Sequence, residues 1–252
     1  MRQKMVEVEN AIIMAAGRGT RMRPLTYKTP KPLVKVNGVS MIETIIKALH
    51  QNSIFNITIV VGYLAEQFKY LEDKYSGIEL IKNPYYEEYN NLSSLYVVKD
   101  KLANTIILDG DQIVRNPKIL SRDIDYSGYA GLWTNKWVNE WIMHTDKDNR
   151  VTSCDRDGGM NGWQLFSLSR WLKRDSDKLK KLVTQAFEDK EKSLYWDDLA
   201  MFKYKDQFTL GVYPIENHDL IEIDSLDELI EIDSLDELIE IDSSYKKDET
   251  FG

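Results

Sequence analysis

The chain has 252 residues, 42% of them hydrophobic, with 33 Lys and Arg against 41 Asp and Glu and a formal net charge of -8. That balance argues against a nucleic-acid binder, whose phosphate-facing surface must be positive, and no run is apolar and long enough to span a bilayer. The lone cysteine, Cys154, excludes an internal disulfide and any multi-cysteine zinc site.

Met1 to Asn10 mixes charged and polar residues where a signal peptide needs an apolar stretch, so a cytoplasmic protein is expected. One domain over residues 1–252 is expected, with 1–9 an N-terminal extension. The first apolar run, Ala11 to Ala16, ends in glycines and reads as a buried strand feeding a tight loop. Met41 to Leu49 carries Ile42, Ile45, Ile46 and Leu49 at helical spacing, and the β-branched run Ile57 to Val61 stops at Gly62. Leu64 to Tyr75 reads as helix, Ile78 to Ile81 as extended, Leu92 to Leu102 as helix, and Thr105 to Leu108 as a strand ending in Asp109-Gly110-Asp111. Alternating strands and helices imply an α/β fold, a largely parallel sheet covered on both faces.

Beyond Asp123 aromatics enter: Gly128 to Thr134 and Val138 to His144 read as strands, with Val151 to Cys154 and Gly162 to Leu168 as partners. Arg170 to Lys190 reads as a charged helix, Trp196 to Tyr204 as a short one, and Phe208 to Tyr213 as a late strand. The end holds a nine-residue repeat, L-I-E-I-D-S-L-D-E, from Leu220 and again from Leu229, restarting at Leu238. Such a period is too short for a solenoid unit, so 229–252 is expected to be a duplicated helical segment and tail.

Chemistry concentrates in A-A-G-R-G-T-R-M-R-P-L-T, Ala15 to Thr26, followed by T-P-K-P-L, Thr29 to Leu33. Between Ala11 and Gly38 there is no Asp or Glu, yet Arg18, Arg21, Arg23, Lys28, Lys31 and Lys35 all fall there. Gly17 and Gly19 allow backbone to approach a phosphate, and basic residues with stiffening prolines complete a polyanion cradle at a strand end. The loop lacks the G-K-[ST] ending of a P-loop and the third glycine of a dinucleotide fingerprint. Asp109 and Asp111, two apart, share one face if the strand continues, and oxygen ligands of this kind suit Mg²⁺ on phosphate oxygens.

The G-x-G-T-R-M-x-P-L-T…P-K loop resembles the signature of nucleotidyltransferases that activate sugar phosphates and related alcohol phosphates. V-G-Y-L-x-E-Q-F at Val61, Y-N-N-L-S-S-L at Tyr89, N-E-W at Asn139, L-Y-W-D at Leu194 and E-I-D-S at Glu222 narrow it. Together they resemble bacterial CTP:phosphocholine cytidylyltransferases of the LicC type, from about Ala11 to the first E-I-D-S. That likeness implies a Rossmann-like three-layer α/β/α sandwich with a mostly parallel mixed sheet. It also implies Mg²⁺-dependent transfer from CTP to phosphocholine, with pyrophosphate leaving.

The same likeness assigns residues. Arg21 would hold the β- and γ-phosphates and Lys31 the α- and acceptor phosphates. Ala15, Ala16, Gly17, Gly19, Thr20, Gly62, Tyr63, Asn91, Ser93 and Ser94 would take the nucleotide. Asp111 and Asp197 would ligate Mg²⁺, with Asp109 in support. Trp141, Tyr195, Glu222 and Asp224 would enclose the acceptor's quaternary ammonium, which aromatic faces and carboxylates suit. Because the repeat duplicates E-I-D-S, Glu231 and Asp233 compete with Glu222 and Asp224 for that place. Cytidylyl transfer to 2-aminoethylphosphonate, nucleotidyl transfer to a sugar 1-phosphate, and a catalytically silent nucleotide-binding regulatory domain remain open.

Overall fold

The computed structural model describes residues 6–223 and 225–232. Its centre is a nine-stranded mixed sheet: β1 (Asn10–Ala15), β2 (Ile57–Val61), β3 (Ile78–Lys82), β4 (Thr105–Asp109), β5 (Gly128–Thr134), β6 (Ile142–Thr145), β7 (Val151–Asp155), β8 (Gly162–Trp171) and β9 (Gly211–Pro214). Strands β3, β2, β1 and β4 lie side by side and parallel, so the ends of β1 and β4 open onto one rim. β8 then pairs antiparallel with β4, β5 and β6, which converts a parallel sheet into an antiparallel wing.

The inner parallel strands β1, β2 and β4 are almost wholly buried because both faces are covered, whereas the edge strand β3 carries exposed Glu79 and Lys82. On one face Ile13 and Ile59 meet Ile42, Ile45 and Leu49 of α1 (Met41–Gln51) and Leu71 of α2 (Tyr70–Lys74). On the other, Ile12, Met14 and Val60 meet Leu92 and Leu95 of α3 (Leu92–Val97) and Leu179 and Leu182 of α4 (Lys173–Glu188). Helix, sheet and helix make the α/β/α sandwich. A smaller cluster joins Met22, Val34 and Met41 to Ile113, Ile223 and Leu229, tying the glycine loop to the chain's C-terminal segment.

Several boundaries differ from the sequence expectation. Leu64 to Tyr75 is a 3-10 turn at Ala65–Phe68 followed by α2, and the helix begun at Leu92 stops at Val97. Of Val138 to His144 only β6 is strand, while Val138 forms an isolated bridge with Gly159. Arg170 and Trp171 still belong to β8, and α4 starts at Lys173. Leu199–Lys203 winds as a π-turn. The strand bearing Asp109 ends there, so Asp111 lies beyond a turn whose Gly110 N–H donates to the Met14 carbonyl at 2.8 Å. Gln112–Val114 then starts a new strand against Leu220–Glu222. In the N-terminal extension Val6–Glu7 pairs with Asp123–Ile124. A helix over 226–232 spans the junction of the first two repeat copies, while Asp224, Asp233 and the rest of the repeat lie outside the described residues. No helix among the described residues is long and apolar enough to cross a membrane.

Candidate active site

The glycine loop leaves β1 at Ala15 and is clamped from β2. The Tyr63 N–H donates to the Ala16 carbonyl at 3.0 Å, and the Tyr63 hydroxyl donates to the Thr26 carbonyl at 3.0 Å, so one residue holds both ends of the loop. Gly62 is required for that approach: a Cβ there would sit 2.7 Å from the Ala16 carbonyl oxygen and 2.8 Å from the Tyr86 ring. Gly19, at φ +59°, would place a Cβ 2.8 Å from that of Lys31, so its missing side chain lets Lys31 lie buried beneath the loop.

Beside the loop opens a cleft of about 230 Å³. Ala16 and Gly17 form one wall, Asn91 and Ser94 belong to the other, and Asp109 and Asp111 also line it. Ser93 is fully buried behind the wall. Gly19, Thr20 and Arg21 sit on the next turn, outside the cleft lining, with Arg21 exposed. Sequence reasoning missed Asn83, whose buried carboxamide also lines the cleft and donates to the Ser93 and Ser94 hydroxyls at 2.9 and 3.1 Å. Its signal was its place directly after a parallel strand, where such sheets bind ligands. Asn91 stands at the start of α3, yet its side-chain oxygen accepts from the Trp196 N–H at 3.0 Å. That bond ties α3 to the segment carrying Asp197.

The carboxylates share one locale. Lys31 Nζ lies 2.6 Å from Asp111 Oδ2. The Asp109 carboxyl is driven well above the usual carboxylate range by burial, and then by the charges of Asp111, Glu222 and Asp197. Asp197 is buried and its pKa rises to about 7, chiefly from desolvation. Its Oδ1 is buried without a partner in hydrogen-bond geometry, and the buried Tyr129 hydroxyl beside the carboxylate offsets only part of the desolvation. An orphaned carboxylate oxygen in a like-charged neighbourhood is what a hard divalent cation relieves. Among the described residues no group of three or more His, Cys, Asp and Glu is spaced to cage an ion alone. Mg²⁺ commonly binds through one or two carboxylates plus phosphate and water, so Asp111 and Asp197 fit it.

The acceptor residues divide. Trp141 and Tyr195 meet edge to face, ring centroids 6.3 Å apart at 84°. Glu222 acts on Asp109 and lines a separate cavity of about 810 Å³, to which Glu140, Glu228 and Glu231 also contribute. Glu222 and Glu231, equivalent positions of successive repeat copies, thus face one space. Asp224 lies outside the described residues.

A family model described as nucleotidyl transferase matches residues 10–128. The 2-aminoethylphosphonate cytidylyltransferase of Lancefieldella rimae is 36% identical over 225 residues, 88% of this chain and 91% of that protein. The choline-phosphate cytidylyltransferase of Streptococcus pneumoniae is 37% identical over 219 residues, 86% of this chain and 94% of that protein. The solved structure of CTP:phosphocholine cytidylyltransferase from Streptococcus pneumoniae superposes with a TM-score of 0.85 at 35% identity, covering 91% of this chain and 99% of that one. The inositol-1-phosphate CTP transferase from T. maritima, at 18% identity and a TM-score of 0.72 over 91% of this chain and 96% of that one, shares the fold.

Proposed function

The chain belongs to the nucleotidyl transferase family, among its cytidylyltransferases, and from that premise we propose that it transfers the cytidylyl group of CTP to phosphocholine, giving CDP-choline and pyrophosphate. The observation that carries this reading is the gathering of the glycine loop, the Lys31–Asp111 pair and Asp109 at one cleft. Asp197 acts on Asp109 from two residues beyond the Tyr195 ring that meets Trp141.

In the reaction an oxygen of the acceptor phosphate attacks the α-phosphorus of CTP. A new P–O bond forms as the bond from the α-phosphorus to the bridging oxygen breaks, and the electron pair departs with pyrophosphate. The attacking oxygen is already ionised near neutral pH, so no general base is needed; alignment and charge neutralisation are. Ala16 and Gly17 bring backbone up to the triphosphate. Lys31 supplies a buried positive charge for the phosphates in flight, and Arg21 one for the departing pair. Mg²⁺ held by Asp111 and Asp197 would neutralise triphosphate oxygens. Asn91 and Ser94, which line the cleft, would take the edge of the pyrimidine. Trp141 and Tyr195 offer ring faces to a quaternary ammonium, which has no N–H to donate.

A second reading, transfer to 2-aminoethylphosphonate, is favoured by the 36% identity to the Lancefieldella rimae enzyme. A primary ammonium would draw more on carboxylates such as Glu222 and less on ring faces. Pyrophosphate release with Mg²⁺, measured for four NTPs against phosphocholine, 2-aminoethylphosphonate and glucose 1-phosphate, separates these readings. CTP with phosphocholine is expected to give the highest kcat/KM. A preference for 2-aminoethylphosphonate would transfer the assignment to the second reading, and the absence of release with any pair would remove both. Asp111→Asn is expected to cut kcat at least about a hundredfold, the usual loss when charge stabilisation of a phosphoryl-type transition state is removed.

A further inference from the structure

Behind the aromatic pair lies an ion pair that the reaction as described does not use. Arg156 projects from the turn after β7, its Cζ 5.2 Å from the Trp141 ring centroid and 4.4 Å from that of Phe202. Phe202 itself packs edge-on against Trp141, centroids 5.0 Å apart. The Arg156 guanidinium pairs with Asp198 Oδ1. The other oxygen of Asp198 accepts the Tyr195 N–H at 2.9 Å. Asp198 is buried, whereas the Arg156 side chain is about half exposed, 47%. One ion pair therefore touches Trp141 through its cation and Tyr195 through its anion.

We propose that Arg156 and Asp198 are positioning residues that set the Trp141 and Tyr195 rings for the cationic end of the acceptor. The proposal rests on the reading that these rings receive that end. A ring attracts a cation through its face, and the attraction falls away when the ring tilts. Arg156 covers Trp141 as a flat, delocalised cation, a geometry that a lysine does not reproduce. Tyr195 is exposed on a loop and is held from below by the Asp198 carboxylate. A lone guanidinium behind Trp141 would also repel an incoming ammonium; the carboxylate at hydrogen-bond distance cancels most of that charge. The pair thus places two rings and stays nearly neutral toward the ligand.

The test is steady-state kinetics with Mg²⁺ and CTP on the full chain, comparing Arg156→Ala, Arg156→Lys and Trp141→Leu, with phosphocholine and 2-aminoethylphosphonate as acceptors. Arg156→Ala is expected to raise acceptor KM about tenfold, the scale of one cation–π interaction weakened by a misplaced ring. CTP KM should stay within about twofold. Arg156→Lys should fall between it and the parent, since charge toward Asp198 is kept while the flat cover over the ring is not. Should Arg156→Ala not fold, the Lys variant carries the test, with acceptor KM again rising alone. Acceptor KM unchanged in both variants, or acceptor and CTP KM rising together, overturns the proposal. If Trp141→Leu raises acceptor KM while the Arg156 variants do not, only the positioning role falls; if Trp141→Leu itself leaves acceptor KM unchanged, the ring pocket falls and the positioning role with it.

Discussion

Asp197 stands against its own folding. Buried among carboxylates, with one oxygen unpartnered, its pKa is raised to about 7 from an ordinary value of 3.8. Between those values the folded chain holds a proton that the unfolded chain has released. The stabilising contribution is thus complete below pH 3.8 and is lost as pH rises through about 7. Asp197→Asn removes the titration and the buried charge together. In chelator, that variant is expected to gain about 1–3 kcal/mol of stability over the parent at pH 8 and little at pH 4, while losing turnover. Thermal melts of both proteins across pH 4–8, with EDTA and again with Mg²⁺, check it. A parent whose melting temperature does not decline toward pH 8 in EDTA would refute the assignment of that buried charge.

The glycine loop has its own foundation at the scale of elements. Thr20–Met22 is one 3-10 turn, and its Met22 side chain is fully buried against Val34, Met41, Ile113, Ile223 and Leu229. Met22→Ala leaves a cavity there and is expected to cost about 2–4 kcal/mol. Because Arg21 and the loop backbone ride on that turn, CTP KM should rise as well, whereas acceptor KM should change less; urea unfolding and two-substrate kinetics separate the effects. The loop and the parallel strands were legible in sequence because their cause is local, a short apolar run ending in Gly17 and Gly19. Longer-range causes were not legible. Arg170 reads as the start of a charged helix, yet it is a buried β8 residue whose guanidinium donates to the Ile119 carbonyl at 2.6 Å and covers the Tyr213 ring at 4.4 Å. Gln112–Val114 goes unseen because its strand partner, Leu220–Glu222, arrives more than a hundred residues later. Asn91 could be placed at a helix start from its pattern, but its bond to Trp196 depends on a segment that only the fold brings near.

At the scale of the molecule, distant parts of the chain meet at the site from both ends of the sequence. The loop after β1 supplies the basic groups, the ends of β3 and β4 supply Asn83 and Asp109, and the segment after α4 supplies Tyr195, Asp197 and Asp198. The last described stretch returns to support the loop: Ile223 and Leu229 pack on Met22, and Leu226 and Ile232 pack beside them. These four residues straddle the first two copies of the repeat, and that placement limits what the duplication can do. Excision of Leu229 to Glu237 brings Leu238-Ile239-Glu240-Ile241 up to Glu228, so the order S-L-D-E-L-I-E-I from Ser225 is restored residue for residue. Because the two copies are identical, excising Leu220 to Glu228 yields the same shortened chain. Every apolar neighbour in the small cluster then has an identical replacement, as does Glu231 in the acidic cavity. The shortened chain is therefore expected to keep its melting temperature within about 2 °C and its kcat/KM for both substrates within about twofold, as for a change away from packed or charged partners. A larger fall in either would show that the second copy does more than repeat this packing.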